Sequence, residues 1–191
     1  MGSPRAIVSA KATRGGTGAS GVARYIAESK LDKKREGDRA RSLFSDRFDD
    51  LTYRQANSLV SPDRDGPAKR DIIHLVISTT EEEYERLGEE EKERLDSLRE
   101  IVREVAGEIE KELGVEKLHW FAGIHRNTDN PHVHLAIGRD AVSLKTLEAT
   151  RIKHLPRNLL PHKKRQQDGL VNIQGKIFDQ FTALLSRARP A

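Results

Sequence analysis

The segment LHWFAGIHRNTDNPHVHLAIG, residues 118–138, contains two short apolar runs on either side of six turn-forming residues. The runs cover 118–125 and 132–138, and the RNTDNP between them is rich in Asn, Asp and Pro, which is typical of a tight turn. This pattern predicts a β-hairpin. A third run, DIIHLVIS at 71–78, is rich in β-branched residues and predicts a buried strand.

The N-terminal region predicts one more strand and a helix. Residues 6–12 alternate apolar and small residues in the way of a strand, and a glycine-rich segment follows at 15–21. We expect Ser20 to cap a helix that continues through Val22 and Ile26.

The region between the third run and the hairpin predicts a long helix. Thr80 and Glu83 have the spacing of a capping box, and beyond them apolar residues recur at helical spacing as far as Gly114. A second amphipathic helix is predicted at 177–185. The order of these elements predicts an α+β fold in which helices pack on one face of an antiparallel sheet.

Length and composition limit the class of protein. A chain of 191 residues fits one domain, so we expect a single domain over 1–191, in which 141–191 is a basic C-terminal extension. With 34% charged residues and no apolar run near the roughly 20 residues of a membrane span, we expect no membrane segment and a cytoplasmic location. The absence of Cys excludes disulfides and thiolate ligands, so His, carboxylate or backbone oxygen must hold any metal.

The charge is divided unevenly along the chain. Residues 81–116 contain 15 acidic and 6 basic side chains, although the whole chain has a net charge of +4. The acidic segment fits the solvated face of the long helix, and the rest of the chain is strongly basic. A basic surface attracts polyanions, of which nucleic acid is the commonest.

Three histidines fall within one stretch of ten residues, 125–134, in the predicted hairpin. His132 and His134 alternate along a strand and therefore point to the same face, and hairpin pairing brings His125 opposite them. Three converging imidazoles with open coordination positions are typical of a catalytic divalent metal site, although imidazole alone does not fix the metal. Such a metal can act as a Lewis acid on a phosphate or supply a hydroxide nucleophile.

Three motifs resemble those of HUH endonucleases, in particular plasmid mobilisation relaxases of the MobA/MobL type. HRNTDNPHVHL at 125–135 resembles the three-histidine motif, and GVARYIAE at 21–28 resembles the N-terminal motif that carries the catalytic tyrosine. DIIHLVIST at 71–79 resembles the second motif, on a central strand. The resemblance covers residues 5–140 in the family's order and leaves 141–191 uncovered.

The resemblance implies a metal-dependent enzyme that nicks DNA to initiate conjugative plasmid mobilisation. His125, His132 and His134 would bind a divalent cation, Mn²⁺ or Mg²⁺, and Tyr25 would attack a DNA phosphate to form a 5′-phosphotyrosine adduct. Family members often have Asp where this chain has Asn127. The candidates for supporting the site or accepting a proton are His74, Asp71 and Asp129.

The implied partners are single-stranded DNA at a transfer origin and accessory relaxosome proteins. The candidate contacts to DNA phosphates are Arg14, Arg24, Lys163, Lys164 and Arg165. Three alternatives stay open at this point: a rolling-circle replication initiator with the same chemistry, a hydrolytic nuclease that uses a metal-bound water, and a DNA-binding module without enzymatic activity.

Overall fold

A computed structural model describes residues 7–13, 18–28, 42–60, 72–113, 116–126, 128, 130–138, 179–185 and 187. These residues form four strands, β1 (Ile7–Thr13), β2 (Ile72–Ser78), β3 (Trp120–His125) and β4 (His132–Gly138). Their helices are α1 (Gly18–Glu28), α2 (Tyr53–Val60), α3 (Glu81–Glu85) and α4 (Glu91–Leu113), with a further helical segment at 179–185. None of these helices is long and apolar enough to cross a membrane.

The four strands make one antiparallel sheet in the order β1-β2-β4-β3. The hairpin predicted from the sequence is β3 and β4, whose pairing places His125 opposite His132. The apolar run at 71–78 becomes β2, which pairs with both β1 and β4. The α+β class and the antiparallel sheet are therefore confirmed.

Helices cover both faces of the sheet, so the expectation of helices on one face is wrong. Alternate residues of β2 point to opposite faces: Ile73, Leu75 and Ile77 pack with α4, whereas Ile72 packs with α1 and α2. The reason is that both faces of the inner strands carry apolar side chains, and each face must be shielded from water. The helical segment at 179–185 joins the α4 face, where Phe181 and Leu185 are buried.

Two helix boundaries differ from those expected. The first helix begins at Gly18, so Ser20 lies inside it and is not its cap. Thr80 does act as a cap, because its side chain accepts a hydrogen bond from the backbone N–H of Glu83 at 3.2 Å. The helix that it caps is the short α3, and the long helix begins separately at Glu91 after a turn that contains Gly88.

The outer edge of β3 is covered by residues 42–51. Phe44 and Ala122 exchange two backbone hydrogen bonds, of 2.9 and 2.8 Å, which add a bridge beside the strand. Arg103 of α4 ties this segment down by donating to the carbonyl oxygen of Ser45 at 3.0 Å and pairing with Asp49. The edge is thus protected from pairing with another chain.

Gly123 allows α1 to lie close to β3. A Cβ atom at this position would lie 2.5 Å from the Ile26 Cγ2 atom and 2.9 Å from the Leu43 Cδ2 atom. Gly107 in α4 provides a contrast, because a Cβ atom there would meet nothing within 4 Å.

We therefore expect Gly123→Ala to destabilise the protein by about 1–3 kcal/mol through overpacking against α1. The control Gly107→Ala should stabilise it by about 0.5–1 kcal/mol, since alanine has the better helix propensity. Urea unfolding of both variants measures the free energies of unfolding. Equal stability of Gly123→Ala and wild type would show that α1 does not pack tightly at this point.

Candidate metal centre

The histidine trio (His125, His132 and His134) lies together on the sheet face that α1 covers. The ring centroids are 4.2 Å apart for His125 and His134, 5.2 Å for His125 and His132, and 5.0 Å for His132 and His134. One ring nitrogen from each residue lies within 4.8 Å of the others. His125 and His134 are almost fully buried, whereas His132 is half-buried. This cluster could hold a metal ion.

Hydrogen bonds fix which nitrogen of two of these imidazoles carries the lone pair. The Nε2 atom of His125 lies 2.7 Å from the carbonyl oxygen of Ile26, which can only accept, so Nε2 carries the proton and Nδ1 the lone pair. His132 has the opposite arrangement, because its Nδ1 atom lies 3.0 Å from the carbonyl oxygen of Asn130. A backbone carbonyl behind the ring is a common way to orient a metal-binding histidine.

The third imidazole of the trio is oriented by another histidine. The Nε2 atom of His74 lies 2.8 Å from the Nδ1 atom of His134. The ring centroids are 5.0 Å apart with an interplanar angle of 25°, which fits an N–H···N bond near the plane of both rings. If His134 donates this bond, its Nε2 atom keeps the lone pair. All three residues can therefore present a neutral nitrogen ligand, the form in which imidazole binds metals.

Helix α1 places Tyr25 beside these histidines. The ring of Tyr25 stands edge-on to His134, with centroids 5.6 Å apart, and to His74 at 6.3 Å. Its side chain is 49% exposed, so a substrate can reach it from solvent. The next residue of the helix, Ile26, is the one whose carbonyl oxygen accepts the bond from His125. Two adjacent residues of α1 therefore contact the trio, Tyr25 through its ring and Ile26 through its carbonyl oxygen.

The other two tyrosines are placed differently. Tyr84 is fully buried in the α4-face core, on the opposite side of the sheet, and burial raises the pKa of its hydroxyl group. Tyr53 begins α2, and its hydroxyl oxygen accepts a hydrogen bond from the Nε atom of Arg54 at 3.3 Å. Tyr25 is the tyrosine that the structure brings into ring contact with His74 and His134.

Of the predicted DNA contacts, Arg24 lies within the described residues. Arg24 is exposed on α1 and forms an ion pair of 2.7 Å with Glu28, one turn further along the helix. The remaining candidates lie outside the described residues, as do two candidates for supporting the site and the position that departs from the family pattern: Arg14, Lys163, Lys164, Arg165, Asp71, Asp129 and Asn127.

The family model of MobL relaxases matches residues 20–185. This chain belongs to the MobL relaxase family. The match covers most of the chain and extends beyond residue 140, into the region that the motif resemblance leaves uncovered. No curated protein and no solved structure matches the relaxase. Membership identifies a DNA-nicking enzyme of conjugation and plasmid mobilisation, a class that depends on metal.

Sequence reasoning missed two structural features around the candidate site. The bond between His125 and the Ile26 carbonyl oxygen joins residues 99 positions apart, and no local pattern indicates it. The glycine at 123 did carry a signal, since a glycine inside a strand indicates a close approach of another backbone or side chain.

Replacing His132 with Ala should abolish binding of Mn²⁺, because two imidazoles remain where three are needed to hold the ion. Titration calorimetry with the purified relaxase measures the affinity directly. His119→Ala is the matched control, since His119 is also half-buried and just precedes β3 but is not part of the trio. Full metal occupancy in the His132→Ala protein would rule out this assignment.

Proposed function

We propose that this relaxase nicks one DNA strand at a transfer origin by transesterification, with Tyr25 as the nucleophile and the histidine trio as the metal site. The observation that carries the proposal is the contact of the exposed Tyr25 ring with His134, a member of the trio. The substrate is single-stranded DNA, and accessory relaxosome proteins stay a prediction.

The metal site follows from the three oriented imidazoles. His125 would bind through Nδ1, while His132 and His134 would bind through Nε2, because the second nitrogen of each ring is engaged in a hydrogen bond. A divalent cation bound there would neutralise charge on a non-bridging phosphate oxygen. We propose Mn²⁺ or Mg²⁺ as the ion, although an all-imidazole set also suits Zn²⁺ and the later transition metals.

The proposed role of His74 is to position His134. In this role its Nε2 atom would accept a hydrogen bond from the Nδ1–H group of His134 and would hold the ring of His134 in the orientation that a ligand requires. The roles of Asp71 and Asp129 stay predictions.

The reaction forms one bond and breaks one bond at the same phosphorus. The phenolic oxygen of Tyr25 loses its proton and attacks the phosphorus, and the bond from phosphorus to the 3′ oxygen of the upstream nucleotide breaks. That oxygen takes up a proton, which balances the one that the phenol lost, and leaves as a 3′ hydroxyl group. The 5′ phosphate stays joined to Tyr25, so the phosphodiester energy is retained, and the strand can be rejoined by the reverse reaction without ATP.

We propose that the chain forms one relaxase domain, of which 141–191 is the basic C-terminal part. Two observations support this. Phe181 and Leu185 are buried in the same core as the inner face of α4, and the family match continues to residue 185.

Tyr25→Phe should reduce strand cleavage to background while folding and DNA binding stay intact, because only the phenolic oxygen is lost. The measurement is denaturing electrophoresis of labelled single-stranded DNA after incubation with Mn²⁺. Tyr53→Phe is the matched control and should cleave like wild type.

The wild-type protein should also carry a 5′-linked oligonucleotide that mass spectrometry maps to the peptide with Tyr25. A hydrolytic nuclease would cleave without a covalent adduct, and its Tyr25→Phe variant would stay active. Cleavage without a covalent adduct, an active Tyr25→Phe variant, or an adduct mapped to Tyr53 or Tyr84 would each refute the proposed nucleophile.

Arg24→Gln should weaken binding of single-stranded DNA and make it less dependent on salt, since one phosphate contact is lost. The slope of log affinity against log salt should become shallower by about 0.7. Lys111→Gln is the matched control, because Lys111 is also exposed and paired with a glutamate but lies on α4, across the sheet. Fluorescence anisotropy over a salt series measures both slopes. Equal slopes for Arg24→Gln and wild type would exclude a phosphate contact at Arg24.

A further inference from the structure

The loop between β3 and β4, residues 126–131, connects two members of the histidine trio, and both of its ends are bonded to the same neighbouring segment. That segment is 79–91, which runs from the end of β2 through α3 to the start of α4. The side chains concerned are Thr79, Glu81, Tyr84 and Glu91, here called the brace.

The first end of the loop is held through Arg126, the residue after His125. Its guanidinium group donates to Glu81 at 2.7 Å and also forms an ion pair with Glu91. The same group lies over the ring of Tyr84, with 4.6 Å between the Cζ atom and the ring centroid. The hydroxyl group of Tyr84 in turn donates a hydrogen bond of 3.1 Å to the Glu91 carboxylate.

This arrangement fixes Arg126 in position. Its side chain is only 16% exposed, so the charge has lost most of its hydration and depends on the two carboxylates and the ring face. A planar guanidinium group can bond through its edges and stack through its face at once, which lysine cannot do.

The second end of the loop is held through the carbonyl oxygen of Pro131, the residue before His132. It accepts two hydrogen bonds from Thr79, one from the backbone N–H at 2.9 Å and one from Oγ1 at 3.2 Å. Thr79 is 2% exposed, so these bonds are shielded from competing water. The peptide group that precedes His132 is therefore tied to the end of β2.

We propose that the brace sets the metal affinity of the relaxase by fixing the loop ends that carry His125 and His132. The inference rests on the proposed metal site. It assigns the members of the brace as positioning residues, which do not touch the ion. A three-ligand site gains affinity when its imidazoles are held in the binding arrangement before the metal arrives, because ordering them then costs no further entropy. Partners outside the ligand set typically change metal affinity by about 10–100-fold when they are mutated.

The test compares two arginines that have the same kind of surroundings. Arg103 of α4 is 19% exposed, forms ion pairs with Asp49 and Glu100, and lies 5.9 Å from the ring centroid of Phe44. It holds the segment 42–51, whereas Arg126 adjoins the trio. Arg126→Lys and Arg103→Lys therefore remove equivalent interactions at different places.

The dissociation constant of Mn²⁺ is measured by titration calorimetry below the unfolding temperature of every variant, together with the visible absorption spectrum of bound Co²⁺. Arg126→Lys should raise the dissociation constant by about 10–100-fold and shift the Co²⁺ bands. Arg103→Lys should lower the melting temperature about as much as Arg126→Lys does, but it should leave the Mn²⁺ dissociation constant and the Co²⁺ spectrum at the wild-type values. Thr79→Val removes the Oγ1 bond without changing the side-chain shape, and it should also raise the dissociation constant of Mn²⁺. This second variant tests the proposal independently of whether Arg126→Lys folds.

The possible failures are distinguishable. If the wild-type protein binds no divalent metal, the metal site is wrong and the brace proposal falls with it. If the wild type binds Mn²⁺ but Arg126→Lys and Thr79→Val bind it equally well, only the brace proposal is wrong. Weakening of Mn²⁺ binding by Arg103→Lys to the same extent would also overturn it, because the effect would then reflect general destabilisation.

Discussion

The hydrogen bond from the Nε2 atom of His125 to the carbonyl oxygen of Ile26 connects the two halves of the candidate site. It is buried, and its two groups belong to β3 and to the last turn of α1. The final carbonyl groups of a helix have no partner within the helix, so the imidazole satisfies an acceptor that would otherwise need water. The same bond orients a proposed ligand and holds the residue that follows the proposed nucleophile.

The packing around this bond explains why α1 can approach the sheet so closely. Gly123 leaves the space that Ile26 and Leu43 fill, two residues before His125 on the same face of β3. The carboxyl end of α1 also carries a partial negative charge from the aligned peptide dipoles, which favours a cation nearby. Shape and electrostatics at this helix end therefore act in the same direction.

Much of the fold was predictable because it depends on local patterns. The alternation of His132 and His134 and the turn residues between two apolar runs identified the hairpin, and the β-branched run identified β2. The placement of helices was not predictable, since the number of faces covered depends on how strands combine into a sheet. The sequence also indicated Tyr25 and His74 only through resemblance, because their contacts with the trio join residues far apart in the chain.

The distances in sequence have a consequence for the order in which the site assembles. The histidine trio spans ten residues of one hairpin, whereas the bond between His74 and His134 spans 60 positions and that between Ile26 and His125 spans 99. Closing long loops costs more chain entropy than forming a hairpin, so contacts of high sequence separation form later in folding. We expect the three imidazoles to come together early and the tyrosine to reach them only when the sheet is complete. A partly folded chain would then bring the three imidazoles together without Tyr25 beside them, so the long-range contacts of His125 and His134 and the approach of Tyr25 complete the candidate site together.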